Sequence, residues 1–361
     1  MYSFEPNEEQ KMLIDAVSRY AENDLRASAE EAEEGKKFPD GLIEKGWEMG
    51  ILQASIPEVY GGFGEYSSVT GVLAAEELAY GDLAGAMAVM TPNLFVLPIL
   101  LAGSEEQKME FIPPVIEMEW KAFTAALIEP SFDFDATDLK TTATVEGDDY
   151  LLSGHKTYVP YAAEAEAMIV YANVDGLTQG FIVPAESDGL VVGEERNKLM
   201  SLNALPFYDV RLNDVRVPKA NRLEGDFEAA LAASRVALAA LAVGVAKASL
   251  DYAIEYAKER EVFGVKVAQK QAIAFMLAEM AMEIEASRML TWEAAWKLDN
   301  DKDDAFKAAY LAATGAIDMV MMVTDRGVQV LGGHGYIREH PVERWMRNGR
   351  GFATFTGLAI V

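Results

Sequence analysis

Apolar residues recur at two different spacings along this chain, and the change from one to the other divides it into three parts. From Glu8 to about Trp120 they return every three or four positions, the interval of a helix with one buried face. Ser3 or Asn7 is placed to cap a first helix running through MLIDAVSRYAENDLRASAEEAEEG, because a short oxygen-bearing side chain can take up the free N–H groups of a first turn. Breaks follow at Phe38-Pro39-Asp40-Gly41 and at Ile56-Pro57-Glu58-Val59-Tyr60-Gly61-Gly62-Phe63-Gly64, and a further helix is expected in SSVTGVLAAEELAYG.

Between about Ala125 and Arg222 the runs become short, alternating or β-branched: TTATVEG, YLLSG, AMIVYANV, GFIVPA, LVVG and FYDVRLNDVRVP. Gly, Asp, Asn and Pro separate them, which predicts an antiparallel β domain. From Asp226 the helical interval returns in three Ala- and Met-rich amphipathic segments near 227–260, 268–298 and 303–331. These predict an antiparallel bundle whose methionines fill core space. The expected fold is α+β and mostly α: a helical domain over 1–124, a β domain over 125–225 and a four-helix-like bundle over 226–361.

Composition narrows the function classes. At 361 residues, 51% hydrophobic and 25% charged, the chain can bury a sizeable core. Its longest unbroken apolar run, Val236 to Ala246, stops at Lys247 after eleven residues, short of the ~20 a membrane span needs. A buried core helix is the expectation there. The opening MYSFEPNEEQ lacks the basic and apolar regions of a secretory signal, so a cytoplasmic location is expected. There is no cysteine, hence no disulfide, thiolate site or cysteine nucleophile. The three histidines, His155, His334 and His340, form no HExxH pattern, and no metal centre is expected. A net charge of −27 disfavours nucleic acid and anionic lipid as partners.

Seven segments carry a more specific signal: IPEVYGGFG (56–64), EELAYGD (76–82), SGHKTYV (153–159), FYDVRLNDVRVP (207–218), YAKEREVFG (256–264), QAIAFMLAEMAMEIEASRML (271–290) and QVLGGHGYIREHPVERWMR (329–347). In this order and spacing the chain resembles the acyl-CoA dehydrogenase family over essentially its whole length. The resemblance implies a helical domain, a β domain and a C-terminal four-helix bundle, assembled as a dimer of dimers. It also implies FAD in an interdomain cleft, its adenosine arm reaching a neighbouring subunit. The implied reaction is α,β-dehydrogenation of an acyl-CoA thioester, in which a carboxylate takes the α-proton while flavin accepts hydride.

One half of the family's cofactor machinery is present. Arg260 and Phe263 match the RxxFG residues that extend to a neighbour's FAD, and Gln329 and Gly333 match the adenosine-side residues of QxxGGxG. A guanidinium can pair with a pyrophosphate, and a glycine lets backbone approach a nucleotide. The other half is missing. Where the family has Thr/Ser-Glu-Pro and Gly-x-Gly-Ser-Asp, this chain reads Ile128-Glu129-Pro130-Ser131-Phe132-Asp133-Phe134-Asp135. The ring-contacting hydroxyl and both glycines are gone, and Asp133 stands where a polyphosphate would approach; like charges face to face cost on the order of several kcal/mol. The aromatic-Ile-Thr/Ser segment beside the flavin is Tyr158-Val159-Pro160, and proline supplies neither hydroxyl nor N–H.

The base is missing as well. Thr356 stands at the usual catalytic glutamate, and Ser234, before Arg235, at the alternative position early in the first bundle helix. Groups that reach a neighbour's FAD are kept and groups that hold a resident one are lost. The chain is therefore expected to be a non-catalytic subunit of a heteromeric, α2β2 acyl-CoA dehydrogenase, sharing FAD with a catalytic acyl-CoA dehydrogenase subunit. Heteromeric members act on steroid side chains attached to CoA, which suggests that substrate by analogy. Two alternatives are a self-sufficient flavoenzyme with altered chemistry, as in the sulfinoacyl-CoA desulfinases, and a flavin-free scaffold.

Overall fold

Asn7 opens the first helix, α1 (Glu8–Tyr20): its side-chain oxygen accepts the N–H of Gln10 at 2.8 Å, and the Gln10 side chain accepts the N–H of Asn7 at 3.0 Å. The computed structural model describes residues 5–361, so Ser3, the other expected cap, lies outside the described residues. From α1 the rod continues through a π-helical turn at Ala21–Arg26 into α2 (Ala27–Gly35), where Lys36, at φ +54°, ends it. After α3 (Leu42–Trp47), Ser67 and Asp82 start α4 (Ser68–Gly81) and α5 (Leu83–Val89) by accepting first-turn N–H groups. Two further helices, α6 (Asn93–Ala102) and α7 (Glu105–Phe111), complete the domain.

The β domain comprises β1 (Phe123–Ala126), β2 (Thr142–Glu146), β3 (Asp149–Pro160), β4 (Ala167–Val174), β5 (Leu177–Pro184), β6 (Leu190–Val192) and β7 (Phe207–Pro218). They form one sheet in the order β1-β4-β2-β3-β7-β6, with β5 added on β4. Most pairings are antiparallel, as the short alternating runs suggested. One exception matters for the site: β1, too short for its pattern to stand out, lies parallel to β4, Phe123 opposite Ala167. It arrives from the helical domain rather than through a hairpin, so its direction is free of hairpin geometry. The long β3–β7 pair slips register between Lys156 and Val159, where Tyr158 takes φ +54°.

The C-terminal domain is built on α8 (Phe227–Glu259), α9 (Gln271–Asp299) and α10 (Ala305–Leu331), with the short α11 (Val342–Gly351) as fourth helix. Ala and Val on nearly every face of α8 are buried, because α4, α9, α10 and α11 surround it. Asp299, closing α9, accepts the N–H groups of Ser68 (2.6 Å) and Val69 (3.1 Å), tying the bundle to the start of α4. By length and mean hydropathy, α8 and the run Ala305–Tyr336 are each long and apolar enough to cross a bilayer. Counting unbroken apolar residues misses this, since the count stops at Lys247. The apolar window of α8 is spent inside the protein, whereas only about a third of the second window is buried.

Candidate functional site

The segment after β1 is held from beneath by a buried charge pair. The Glu129 carboxylate accepts the N–H groups of Lys140 and Thr141, each at 2.8 Å, and the Lys156 ammonium at 2.9 Å. Lys156 is wholly buried and also donates to the Leu127 carbonyl at 3.1 Å. Burial pulls its ammonium down to about 8 against the opposing charge of Glu129. Burial pushes Glu129 up, but Lys156 and the donated hydrogen bonds outweigh it and leave the carboxyl below its ordinary value. Sequence reasoning missed this clamp. The available signal was a lysine in the interior of a strand-like run, YLLSGHKTYV.

Above the clamp, nothing fits a resident flavin. Ile128 is only 6% exposed and packs into the main core, its carbonyl accepting the Thr157 N–H at 2.9 Å. A phosphate cradle needs backbone N–H groups turned outward. Here Ser131 and Phe134 spend theirs internally, on the carbonyls of Glu129 (2.8 Å) and Ser131 (3.3 Å). Phe134 and Tyr158 are half-buried against the same core, and Val159 is fully buried. At Asp133 the structure corrects the sequence reading: it is not an uncompensated charge. The Lys140 ammonium donates to it at 2.8 Å and the Ser131 hydroxyl donates as well, holding its carboxyl at about 2. The pair leaves no net positive charge for a pyrophosphate, and the cradle is still missing. The residues present do not fit an FAD held by this chain.

The groups expected to reach outward stand differently. Arg260 follows α8 at the neck of a small hairpin, β8 (Glu261–Val262) and β9 (Val265–Lys266). Its central residues, Phe263 and Gly264, take φ +55° and +76°, the pair of positive angles a two-residue hairpin turn requires. Phe263 at the tip is 94% exposed. The Arg260 guanidinium is exposed and has no hydrogen-bond or ion-pair partner among the described residues. Gln329 is exposed on the last turn of α10. Gly332 ends that helix at φ +60°, ψ −129°, a conformation only glycine accepts readily. Gly333 is another matter: a Cβ there would meet nothing within 4 Å, so no contact within this chain requires glycine.

Tertiary structure brings the two motifs to one end of the bundle. The Tyr256 hydroxyl, one helical turn before Arg260, bonds His334 Nδ1 at 2.9 Å, next to Gly333. Tyr252 bonds His340 Nδ1 at 2.7 Å, and the two imidazoles stack 5.5 Å apart. This aromatic layer braces the glycine turn, and periodicity alone did not reveal it.

Ser234 and the residue after Thr356 border one cavity. Ser234, on α8, is 4% exposed and its hydroxyl has no partner; it lines a cavity of about 20 Å³. Gly357, next to the half-buried Thr356, lines the same cavity. No carboxylate or imidazole borders it. Arg235 turns away from it, its guanidinium 5.1 Å from the Tyr310 ring centre.

Residues 7–119, 124–215 and 226–359 match, in that order, the N-terminal, middle and C-terminal domains of acyl-CoA dehydrogenase. The caffeyl-CoA reductase-Etf complex subunit CarC of Acetobacterium woodii is 36% identical, over 98% of this chain and 96% of its own. The mitochondrial short-chain specific acyl-CoA dehydrogenase of Sus scrofa is 34% identical, over 96% of this chain and 86% of its own. The solved structure of butyryl-CoA dehydrogenase from Megasphaera elsdenii superposes with a TM-score of 0.89 at 31% identity, over 99% of this chain and 96% of that one.

Proposed function

This chain belongs to the acyl-CoA dehydrogenase family, and on that footing we propose that it is the non-catalytic subunit of a heteromeric member, lending FAD contacts to a catalytic partner. The observation that carries the reading is the contrast between the two half-sites. Arg260, Phe263, Gln329 and Gly333 are exposed, unspent and gathered at one end of the bundle. Ile128, Ser131 and Phe134 are turned into the protein or bonded to it.

In the complex the bound FAD supplies hydride acceptance. This chain contributes a guanidinium for the diphosphate from Arg260, an aromatic edge from Phe263, and an uncluttered backbone at Gly333. The carboxylate that takes the α-proton comes from the partner, since neither Ser234 nor Thr356 can act as a base near neutrality without one beside it. Exposed apolar side chains on α9 (Phe275, Met282, Leu290) and α10 (Phe306, Tyr310, Leu311) supply a face for assembly. A steroid side-chain CoA is the substrate suggested by analogy, and the partner's pocket would set that choice. The likeness to an Etf-complex subunit supports an electron-transferring flavoprotein as a partner of the assembled enzyme.

Purified alone, the chain should be colourless; co-purified with its partner it should give a yellow complex with about one FAD per heterodimer. Stoichiometric FAD on the lone chain would overturn the reading. Failure to recruit any flavoprotein partner would favour a scaffold.

A further inference from the structure

The space between Ser234 and the turn that carries Thr356, bordered by Gly357, is where the family's two base positions would place an acyl group, and it is filled. The segment Leu358–Val361 occupies it, each of the four residues buried. Ile360 and Ala359 face Leu94 and Pro98 of α6, Tyr171 of β4 and Phe227 of α8 across the residual cavity of about 20 Å³. That is room for a single water and for no acyl chain.

The surroundings are shaped to receive this segment. The buried Asn93 side chain donates to the Ile360 carbonyl at 3.2 Å, and the Tyr66 hydroxyl donates to a main-chain oxygen of Val361 at 2.8 Å. Polar groups entering an apolar cleft must be matched in this way, so the seat is specific rather than a loose collapse. Gly71 on α4 leaves space for Val361, since a Cβ there would lie 2.6 Å from the valine Cβ. Gly357 turns the chain inward at φ +78°, and its own Cβ would lie 2.4 Å from Leu127 Cδ2.

We propose that Leu358–Val361 is a built-in plug that replaces the substrate's acyl chain in this subunit, so that acyl-CoA enters the assembled enzyme only through the partner. This deepens the subunit reading and rests on it for where the acyl group would otherwise bind. The orphaned Ser234 hydroxyl is then left facing the remainder of a closed cleft.

The test is calorimetric titration of the purified full chain with CoA, butyryl-CoA and octanoyl-CoA. A plugged cleft gives no gain from the acyl group: octanoyl-CoA binds within twofold of CoA, or none of the three binds. Stoichiometric binding that tightens tenfold or more from butyryl to octanoyl overturns the proposal. A second arm uses Ile360→Ala, in which benzene should raise the melting temperature by a few degrees while leaving wild type unmoved. Benzene stabilising both chains equally, or neither, also overturns it. Should the variant fail to fold, the wild-type CoA series still decides. FAD on the lone chain together with no acyl gain would refute the subunit reading and leave the plug standing.

Discussion

Replacing Arg260 by alanine separates a role within this chain from a role toward a partner's cofactor. The guanidinium is exposed and makes no intrachain hydrogen bond or ion pair among the described residues, so its removal should change the lone chain's stability by no more than about 0.5 kcal/mol. If it pairs with the diphosphate of a partner-held FAD, the loss is a charge-assisted hydrogen-bonding contact of about 1.5–3 kcal/mol. At 1.36 kcal/mol per decade that is roughly a 10- to 150-fold weaker FAD affinity in the complex. The assay is titration of the flavin-free heteromeric complex with FAD, following quenching of flavin fluorescence, beside thermal melts of the lone variant. Arg260→Lys should recover only part of the loss, because an ammonium cannot make the two-pronged contact. An intact variant complex that binds FAD within twofold of wild type would refute the reasoning. So would a large fall in the lone chain's melting temperature, since Arg260 would then have a structural partner.

Five further outcomes follow from the same geometry. Gly333→Ala should leave the lone chain's stability unchanged, no atom standing within 4 Å of the new Cβ, while weakening FAD retention in the complex; Gly357→Ala, at φ +78° with Leu127 Cδ2 2.4 Å away, should cost about 1–3 kcal/mol in urea unfolding. Lys156→Met leaves the Glu129 carboxylate buried with only its two backbone N–H donors, and should lower stability by about 3 kcal/mol; a change below about 1 kcal/mol would mean that the clamp does not anchor the loop. Asp133 has a carboxyl depressed from 3.8 to about 2 by Lys140 and Ser131, so its contribution to the loop is present above the ordinary value and is lost as pH falls through about 2; a carboxyl carbon titrating near 4 in NMR would show that the Lys140 contact does not persist. Thr356→Ala should leave kcat of the complex within twofold, and a fall of a hundredfold or more would place Thr356 in the chemistry.

Periodicity was a good guide wherever an element was long and had one buried face. The stretch AMIVYANV is β4 to the residue, FYDVRLNDVRVP is β7 to the residue, and the three late helices differ from the observed ones by a few positions at their ends. It did not resolve α3, α5, α6 and α7, which are short or apolar on all sides, because a face that is buried everywhere has no period.

For the site, the residue types alone establish that Ile128 carries no hydroxyl, that Pro160 carries no amide N–H, and that Ser234 and Thr356 carry no carboxylate. Those are properties of single side chains and need no coordinates. Whether Asp133 is neutralised depends on how its own loop folds back to Lys140, while whether Arg260 is free and what fills the space between Ser234 and Gly357 depend on residues far apart in the chain. Lys156 reaches Glu129 and Tyr256 reaches His334 through packing within a domain, and Ile360 reaches α6 through packing between domains. Burial and charge pairing are relations between distant segments, and only tertiary structure decided them.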